Sequence, residues 1–257
     1  MKRKTLRRKR QARKTRKRRG GVKLGEGGFG RVYAPGMLCK GTPAEVTKVF
    51  DIDGDSEMTH EGAMNTIRKL KVISAKLKEI DPNQDFFLYP EFCDEEPTLS
   101  DENKKDRLTV YDIPISYNMR RADKTLRDAH KADFDEADAM IDEIMESEDL
   151  EIMKRKYRPA AEALVDKFVV IFGKVKTLLD KLHSVDILHG DMSSQNVMVM
   201  KDGTYRLIDF DLSRINSTPL EPFQKREEMK HLVSMSLMGW SRVYPDLYTR
   251  MVNSPAS

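Results

Sequence analysis

The chain has 257 residues, which is enough for one two-lobed domain or two small domains with a substantial core. Hydrophobic residues make up 39% and charged residues 34%, a balance that predicts helices with long solvated faces. Two cysteines exclude a disulfide framework, and the longest apolar run, residues 168–172, is far too short to span a membrane.

The formal charge of +4 averages two unlike parts of the chain. Residues 1–19 hold 13 of the 46 Lys and Arg and no acid, whereas the remainder holds 33 basic and 42 acidic residues. Such a segment cannot bury a core, so residues 1–20 are predicted to be a disordered basic tail, and no apolar stretch follows it to make a secretory signal. Residues 2–19 are expected to bind nucleic acid or another polyanion; the alternative is a solubilising arm without a specific partner.

Residues 24–33 read LGEGGFGRVY and contain the pattern G-x-G-x-x-G. Dinucleotide-binding folds share this pattern, but in them a helix follows the glycines directly. Here Val32 lies in a strand-like run, and Pro35-Gly36 excludes an immediate helix. The pattern therefore predicts a strand, a glycine turn and a second strand, with backbone that can approach phosphates closely.

A strand and a long helix are predicted next. Residues 45–50 alternate like a strand and place Lys48 eighteen residues after Gly30. A helix is expected from about residue 57 to residue 79, because its apolar residues recur at three- and four-residue steps. Further strands are expected at residues 86–89 and 108–119.

The remainder is predicted to be mainly helical. Apolar periodicity favours an amphipathic helix within the acid-rich stretch 127–160, a deeply packed helix over 161–182 and a last helix over 224–238. Trp240 and Tyr244 are expected to be core or surface-anchoring aromatics.

The most informative stretch is ILHGDMSSQNVMV at 187–199, followed by LIDFD at 207–211. A polar loop between two apolar runs places Asp191 and Asn196 on one exposed turn. Asp202-Gly203 between strand-like segments predicts a hairpin, which would return Asp209 beside Asn196. Carboxylate and amide oxygens are ligands that Mg²⁺ prefers, so the three side chains match the needs of phosphoryl transfer.

These motifs make the chain, over about residues 21–240, resemble the protein kinase-like superfamily. His189-Gly190-Asp191 followed by Asn196 is similar to the catalytic loop, and Asp209-Phe210-Asp211 is similar to the metal-binding Asp-Phe-Gly. The resemblance implies an α+β fold with two lobes. Residues 21–119 would form a first lobe of β-sheet plus one helix, and residues 120–257 a mainly helical and truncated second lobe.

The resemblance also implies ATP and Mg²⁺ as cofactors and assigns roles to residues. Asp191 would be the catalytic base. Lys48 would hold the α- and β-phosphates, paired with Glu61 or, as the second choice, Glu57. His183 and His189 are expected to be structural. Metal binding is implied for Asn196 and Asp209, and nucleotide binding for Lys48, Gly25, Gly27, Gly28, Phe29, Gly30, Val32 and the hinge residue Met119.

Four features depart from regulated protein kinases. Gly190 replaces an arginine, Ser193 a lysine and Asp211 a glycine, and the region after Asp211 is short. In these respects the chain is similar to compact atypical kinases: the His-Gly-Asp enzymes of the RIO type, the small kinase of the KEOPS assembly and aminoglycoside phosphotransferases. With its basic arm it also resembles kinase-like proteins of large DNA viruses.

The resemblance predicts an ATP- and Mg²⁺-dependent serine/threonine protein kinase. Two alternatives remain open: a small-molecule phosphotransferase, and a catalytically silent pseudokinase that acts as a nucleic-acid-tethered binding module. An intracellular location without a membrane partner is expected, in the host cytoplasm or nucleus, or in a virion if the protein is viral.

Overall fold

The computed structural model describes residues 22–27, 30–34, 38–39, 42–43, 45–50, 59–92 and 116–256. The basic tail, Gly28, Phe29, Glu57 and residues 108–115 of the predicted strands lie outside the described residues. The chain forms two compact units, a first unit of Met1–Lys71 and Pro90–Arg121 and a second unit of Val72–Tyr89 and Ala122–Ser257.

The first unit contains a four-stranded antiparallel sheet in the order β1-β2-β5-β6. Its strands are β1 (Val22–Gly27), β2 (Gly30–Ala34), β5 (Val46–Phe50) and β6 (Ser116–Met119), and a small ribbon of β3 (Leu38–Cys39) and β4 (Thr42–Pro43) lies between β2 and β5 in sequence. All five residues of β5 are buried, as expected of a strand inside a sheet. The strand predicted around Lys48 is therefore present.

Helix α1 (His60–Ile80) follows, close to the predicted range. The hydroxyl of Thr59 accepts a hydrogen bond from the backbone N–H of Gly62 at 3.0 Å and caps the helix. At the other end the Asp81 carboxylate accepts hydrogen bonds from three successive backbone N–H groups, of residues 85, 86 and 87. Leu70, Ile73 and Leu77 of its apolar stripe are fully buried.

The structure differs from the predicted division of the chain at residues 72–89, which belong to the second unit rather than the first. The physical reason lies at Phe87, which forms a parallel bridge to Leu207 instead of starting a new strand. The backbone N–H of Leu88 donates to the carbonyl of Leu207 at 2.9 Å, and that of Leu207 donates to Phe86 at 3.0 Å. The Phe87 ring also packs edge-on against Phe210, with centroids 6.3 Å apart.

The second unit is mainly helical. A three-stranded sheet has the order β10-β9-β7, and β11 pairs with β8. The bounds are β7 (Lys124–Thr125), α2 (Leu126–Ala129), α3 (Lys131–Glu146), α4 (Leu150–His183), β8 (Ile187–Leu188), β9 (Val197–Val199), β10 (Tyr205–Leu207), β11 (Arg214–Ile215), α5 (Pro222–Ser236), α6 (Trp240–Val243) and α7 (Pro245–Val252).

Two helical predictions need correction. Helix α4 begins at Leu150, eleven residues before the predicted start, because Asp149 caps it and the helix continues through Pro159. Two short helices, α6 and α7, follow the last predicted helix, and Trp240 and Tyr244 are buried there as core aromatics. Within the described ranges, no helix is both long and apolar enough to cross a membrane.

Candidate active site

In the first unit, the two residues predicted to contact nucleotide from neighbouring strands are paired. Val32 of β2 lies directly opposite Lys48 of β5, and Tyr117 of β6 lies opposite Lys48 on the other side. Directly opposite residues of antiparallel strands point to the same face of the sheet. Lys48 is only 6% exposed, so its long side chain is held within the unit.

The predicted partner of Lys48 lies at the start of helix α1. Glu61 is exposed in the first turn, and no ion pair joins Glu61 to Lys48 among the described residues. The alternative, Glu57, lies outside the described residues. The glutamate that pairs with Lys48 therefore stays a prediction.

The glycine-rich stretch begins and ends in paired strands. Gly25 pairs with Val32, and Gly27 pairs with Gly30. A Cβ atom at Gly30 would overlap the carbonyl oxygen of Val49, so this glycine has a packing reason as well as the predicted phosphate-binding one. Met119, the predicted hinge residue, ends β6 opposite Val46 and is half-buried.

In the second unit, Asp191 and Asn196 form a closed hydrogen-bonded loop. The side-chain Nδ2 of Asn196 donates to the backbone carbonyl of Asp191 at 2.7 Å and to its carboxylate Oδ2 at 2.9 Å. The backbone N–H of Asn196 also donates to the Ser193 carbonyl at 3.1 Å. These bonds fix the orientation of the Asp191 carboxylate and leave the amide oxygen of Asn196 without a hydrogen bond among the described residues.

The predicted hairpin returns the chain to this loop. Leu207 of β10 pairs with Val197 of β9, and the next backbone N–H, of Ile208, donates to the Asn196 carbonyl at 3.0 Å. Asp209 follows with a φ of 61°. Left-handed backbone is unfavourable for a residue with a side chain and is concentrated at functional positions.

His189 holds the segment that contains Asp209. Its ring is fully buried, and its Nε2 lies 2.8 Å from the carbonyl oxygen of Ile208. The ring also lies against Phe210, with centroids 5.1 Å apart. These contacts agree with the structural role that was predicted for His189.

One important residue escaped the sequence analysis. Glu228 of α5 is buried, and its Oε1 accepts a hydrogen bond from the backbone N–H of Gly190 at 2.7 Å, while its Oε2 lies 2.8 Å from Nε2 of His183. Burial raises the pKa of the Glu228 carboxyl, but the hydrogen bonds with His183 and Gly190 outweigh this effect and hold the pKa below its ordinary value. A signal did exist: Glu228 lies beside Met229 and one turn before Leu232, on the apolar side of the predicted helix.

The short segment after Asp211 is attached to β8, the strand that precedes the loop of Asp191 and Asn196. Residues 214 and 215 pair with 188 and 187 in the β11–β8 ribbon. The buried hydroxyl of Ser213 donates to the His189 carbonyl at 2.9 Å. Asp186 accepts hydrogen bonds from the backbone N–H groups of Asn216 and Leu220, at 2.8 and 3.1 Å. The segment is therefore bound along most of its length.

The predicted metal ligands form a sparse set. In the part of the chain that the structure describes, no three His, Cys, Asp or Glu side chains come close enough to hold a metal ion together. Asn196 and Asp209 offer one amide oxygen and one carboxylate. Mg²⁺ usually takes only one or two protein carboxylates and completes its shell with water and substrate phosphates, so this sparse set fits it.

Comparison with known proteins gives a partial likeness. No protein-family model matches the chain. Over 49 residues, or 19% of the chain, it is 47% identical to a protein named probable cyclin-dependent kinase 9 from Caenorhabditis elegans. The match spans only 9% of that protein's length. The likeness to a protein kinase, together with a mixed structure of antiparallel sheet and several helices, is compatible with a kinase-like fold and supports a kinase-type enzyme in general terms.

Proposed function

We propose that this chain is an ATP- and Mg²⁺-dependent serine/threonine protein kinase that transfers the γ-phosphate of ATP to a protein hydroxyl. The observation that carries the proposal is the closed loop in which Asn196 donates to both the carbonyl and the carboxylate of Asp191. An aspartate that is merely a solvated surface acid has no need of two such bonds. The partial likeness to a protein kinase supports the same class of reaction.

Asp191 is the proposed general base. Its Oδ2 is occupied by the amide of Asn196, while its Oδ1 makes no hydrogen bond among the described residues. Oδ1 is therefore the oxygen that can accept a hydrogen bond from an acceptor hydroxyl, orient it and take its proton during transfer. The bond to Asn196 prevents the carboxylate from rotating away.

Asn196 and Asp209 are the proposed metal ligands. The amide nitrogen of Asn196 is used within the loop, so its oxygen remains for a cation, and Asp209 adds a carboxylate on strained backbone. Bound Mg²⁺ would offset the negative charge of the phosphates during transfer. His189 contributes indirectly, since its bond to the Ile208 carbonyl fixes the backbone next to Asp209.

Nucleotide binding is proposed for Lys48 as the phosphate-binding lysine, with Glu61 or Glu57 as its partner. The shared face of Val32 and Lys48 supports this assignment, because both residues can then contact one ligand. The other proposed nucleotide-binding residues are Gly25, Gly27, Gly28, Phe29, Gly30 and Met119.

Within the kinases, we place the chain in the compact His-Gly-Asp type. Gly190 supports this choice, since its left-handed backbone and the nearby Leu212 carbonyl leave no room for the arginine of regulated kinases. The short segment between Asp211 and α5 supports it too. A viral origin, an intracellular location in host cytoplasm, nucleus or virion, and a polyanion partner for residues 2–19 are proposed on the basic tail and the resemblance given above.

Radiolabelled ATP with Mg²⁺ tests the proposal. Purified protein is incubated with a generic protein acceptor and with a panel of small hydroxyl compounds, and the label is followed by gel and by thin-layer chromatography. Label on protein that disappears in Asp191→Asn supports the kinase. Label only on a small molecule would favour a small-molecule phosphotransferase, and no label on any acceptor would favour a silent binding module.

A matched control separates loss of the base from loss of charge. Asp142 is exposed on α3 and has no ion pair among the described residues. Asp142→Asn removes the same carboxylate charge as Asp191→Asn and should leave transfer unchanged.

A further inference from the structure

A pocket of about 570 Å³ opens beside the catalytic loop in the second unit. Its wall includes both chain neighbours of Asp191, together with one residue of β11 and several residues of α5: Gly190, Met192, Arg214, Phe223, Lys230 and His231. Asp191 itself does not line the pocket, but both of its chain neighbours do, so a molecule bound there would contact the same loop that carries the proposed catalytic base. The pocket is therefore a candidate binding site for the acceptor.

The formal charges that line the pocket sum to zero, with Arg214 and Lys230 against Glu227 and Glu228, but they are not all paired. Glu227 pairs with Lys230 one turn along the helix. Glu228 is buried and already accepts the hydrogen bond of Gly190. Arg214, in contrast, is exposed and has no ion-pair partner among the described residues. The exposed charge without a partner in the pocket is thus a guanidinium, which can bind a carboxylate in two hydrogen bonds.

The pocket also has an exposed apolar wall. The Phe223 side chain is 67% exposed on the first turn of α5, and the buried Met192 also lines the pocket. An aromatic ring this exposed is well suited to cover an apolar side chain of a bound peptide. An acceptor with an apolar residue on one side of its hydroxyl and an acid on the other would match both features.

The chain itself contains such a sequence. Residues 94–102, which lie outside the described residues, read DEEPTLSDE, with Leu99 before Ser100 and Asp101 after it. By contrast, Thr5 and Thr15 of the tail lie among lysines and arginines, which Arg214 would repel. Charge therefore favours residues 94–102 over the tail as an acceptor.

We infer that the pocket binds acidic peptide acceptors and that residues 94–102 of a second copy of this chain are one of them, with Ser100 as the phosphorylated residue. This inference rests on the proposed kinase function. The Ser100 hydroxyl oxygen forms a bond to the γ-phosphorus of ATP as the bond from that phosphorus to the bridging β,γ-oxygen breaks. ADP leaves, and the hydroxyl proton passes to Asp191 and then to solvent. Arg214 binds the acidic side chain that follows Ser100.

A peptide of residues 93–105 tests the acceptor preference. It is compared with the same peptide carrying Asp101→Asn and Glu102→Gln. The acidic peptide should be phosphorylated at Ser100 with a KM about tenfold lower, the effect of one charge-assisted contact. Arg214→Ala should remove this difference without changing the KM for ATP, and Arg214→Lys should keep part of it. Arg242→Ala, which removes an exposed arginine that does not line the pocket, is the control.

Binding without catalysis separates this inference from the proposed function. Fluorescence anisotropy of the labelled acidic peptide with Asp191→Ala protein should show binding that weakens with salt and with Arg214→Ala. Transfer between copies is tested by mixing active protein with Asp191→Ala protein of a different size and mapping phosphate on the inactive copy.

The possible results are distinct. Label at Ser100 of the inactive copy, lost with Arg214→Ala, supports the inference. Preference for a basic acceptor, or label on Thr5 or Thr15 instead, would overturn it and leave the kinase proposal intact. Arg214-dependent peptide binding without any use of ATP would support the docking site and overturn the kinase proposal.

Discussion

The backbone N–H of Gly190 donates a 2.7 Å hydrogen bond to the buried carboxylate of Glu228. This bond joins the proposed catalytic loop to helix α5, at the position where regulated kinases have an arginine side chain. The other carboxylate oxygen contacts His183, at the end of the helix that leads into the loop. The Glu228 side chain thus connects the loop to both α4 and α5.

Gly190 should tolerate no side chain. Its φ is +79°, and a Cβ there would lie 2.5 Å from the Leu212 carbonyl oxygen. Gly203 has the same φ of +79°, but no atom of the described residues lies within 4 Å of the corresponding position, which makes it a matched control. Gly203→Ala should lower the free energy of unfolding by about 1–2 kcal/mol, the penalty of left-handed backbone alone. Gly190→Ala should lower it by about 3 kcal/mol or more, because the added Cβ also overlaps the Leu212 carbonyl. Urea unfolding measures both, and equal losses would contradict this account.

The Glu228 carboxylate should make stability depend on pH in acid. Because its folded pKa lies below the ordinary value of 4.5, its contribution is complete above pH 4.5 and is lost as the pH falls through the folded pKa. Glu228→Gln keeps the shape but removes the titration. The difference in unfolding free energy between wild type and variant should therefore be largest near neutral pH and shrink towards pH 3. A difference that stays constant from pH 7 to pH 3 would refute this role.

Much of the second-unit site could be predicted because its signals are local. Asp202-Gly203 between strand-like runs indicated the hairpin, and the hairpin register then placed Ile208 against Asn196. The position of residues 72–89 could not be predicted in this way. It depends on the bridge between Phe87 and Leu207, which are 120 residues apart in the chain.

The contacts of Glu228 could not be predicted for a different reason. A carboxylate on the apolar side of a helix indicates that a buried hydrogen-bond partner exists, but the sequence does not show which residue it is. Glu228 meets Gly190 and His183 only in the folded chain. The partner of Lys48 was assigned from the resemblance to kinases, and the choice between Glu61 and Glu57 stays a prediction.

Asp209→Ala should abolish metal-dependent turnover of ATP. The change removes the carboxylate of the proposed Mg²⁺ pair and leaves only the Asn196 amide oxygen. Loss of a metal ligand should lower transfer by about two or more orders of magnitude, with little change in the unfolding midpoint. ATP hydrolysis and transfer assays over a Mg²⁺ series provide the measurement, with Asp142→Ala as the control. Undiminished activity in Asp209→Ala would reject the metal assignment.

Deletion of residues 1–19 should remove nucleic-acid binding without affecting ATP turnover. These residues contribute 13 positive charges and none of the proposed catalytic groups. Binding that depends on counterion release falls steeply with salt, so the full chain should show a strong salt slope and the truncated chain a nearly flat one. Filter binding with a DNA and an RNA oligonucleotide measures the slope. Equal retention by the truncated protein would place the polyanion site elsewhere.

The segment after Asp211 should not need phosphorylation to become active. Only ten residues separate Asp211 from helix α5, so little chain has to be ordered. Ser213 is buried and bonded to the His189 carbonyl, and Asp186 holds the backbone at residues 216 and 220. In regulated kinases the cation that receives such a phosphate is the arginine directly before the catalytic aspartate, and Gly190 has no side chain to supply it.

Protein produced in bacteria and treated with phosphatase should therefore transfer phosphate immediately when ATP is added. The exposed Ser217 and Thr218 are the accessible hydroxyls of the segment, and the Ser217→Ala, Thr218→Ala double variant should keep full activity. A Ser100→Ala background prevents the proposed self-phosphorylation from affecting the time course, and Asp191→Ala provides the inactive reference. Two results together would show that phosphorylation of this segment is required: a lag that shortens after incubation with ATP, and loss of activity in the double variant.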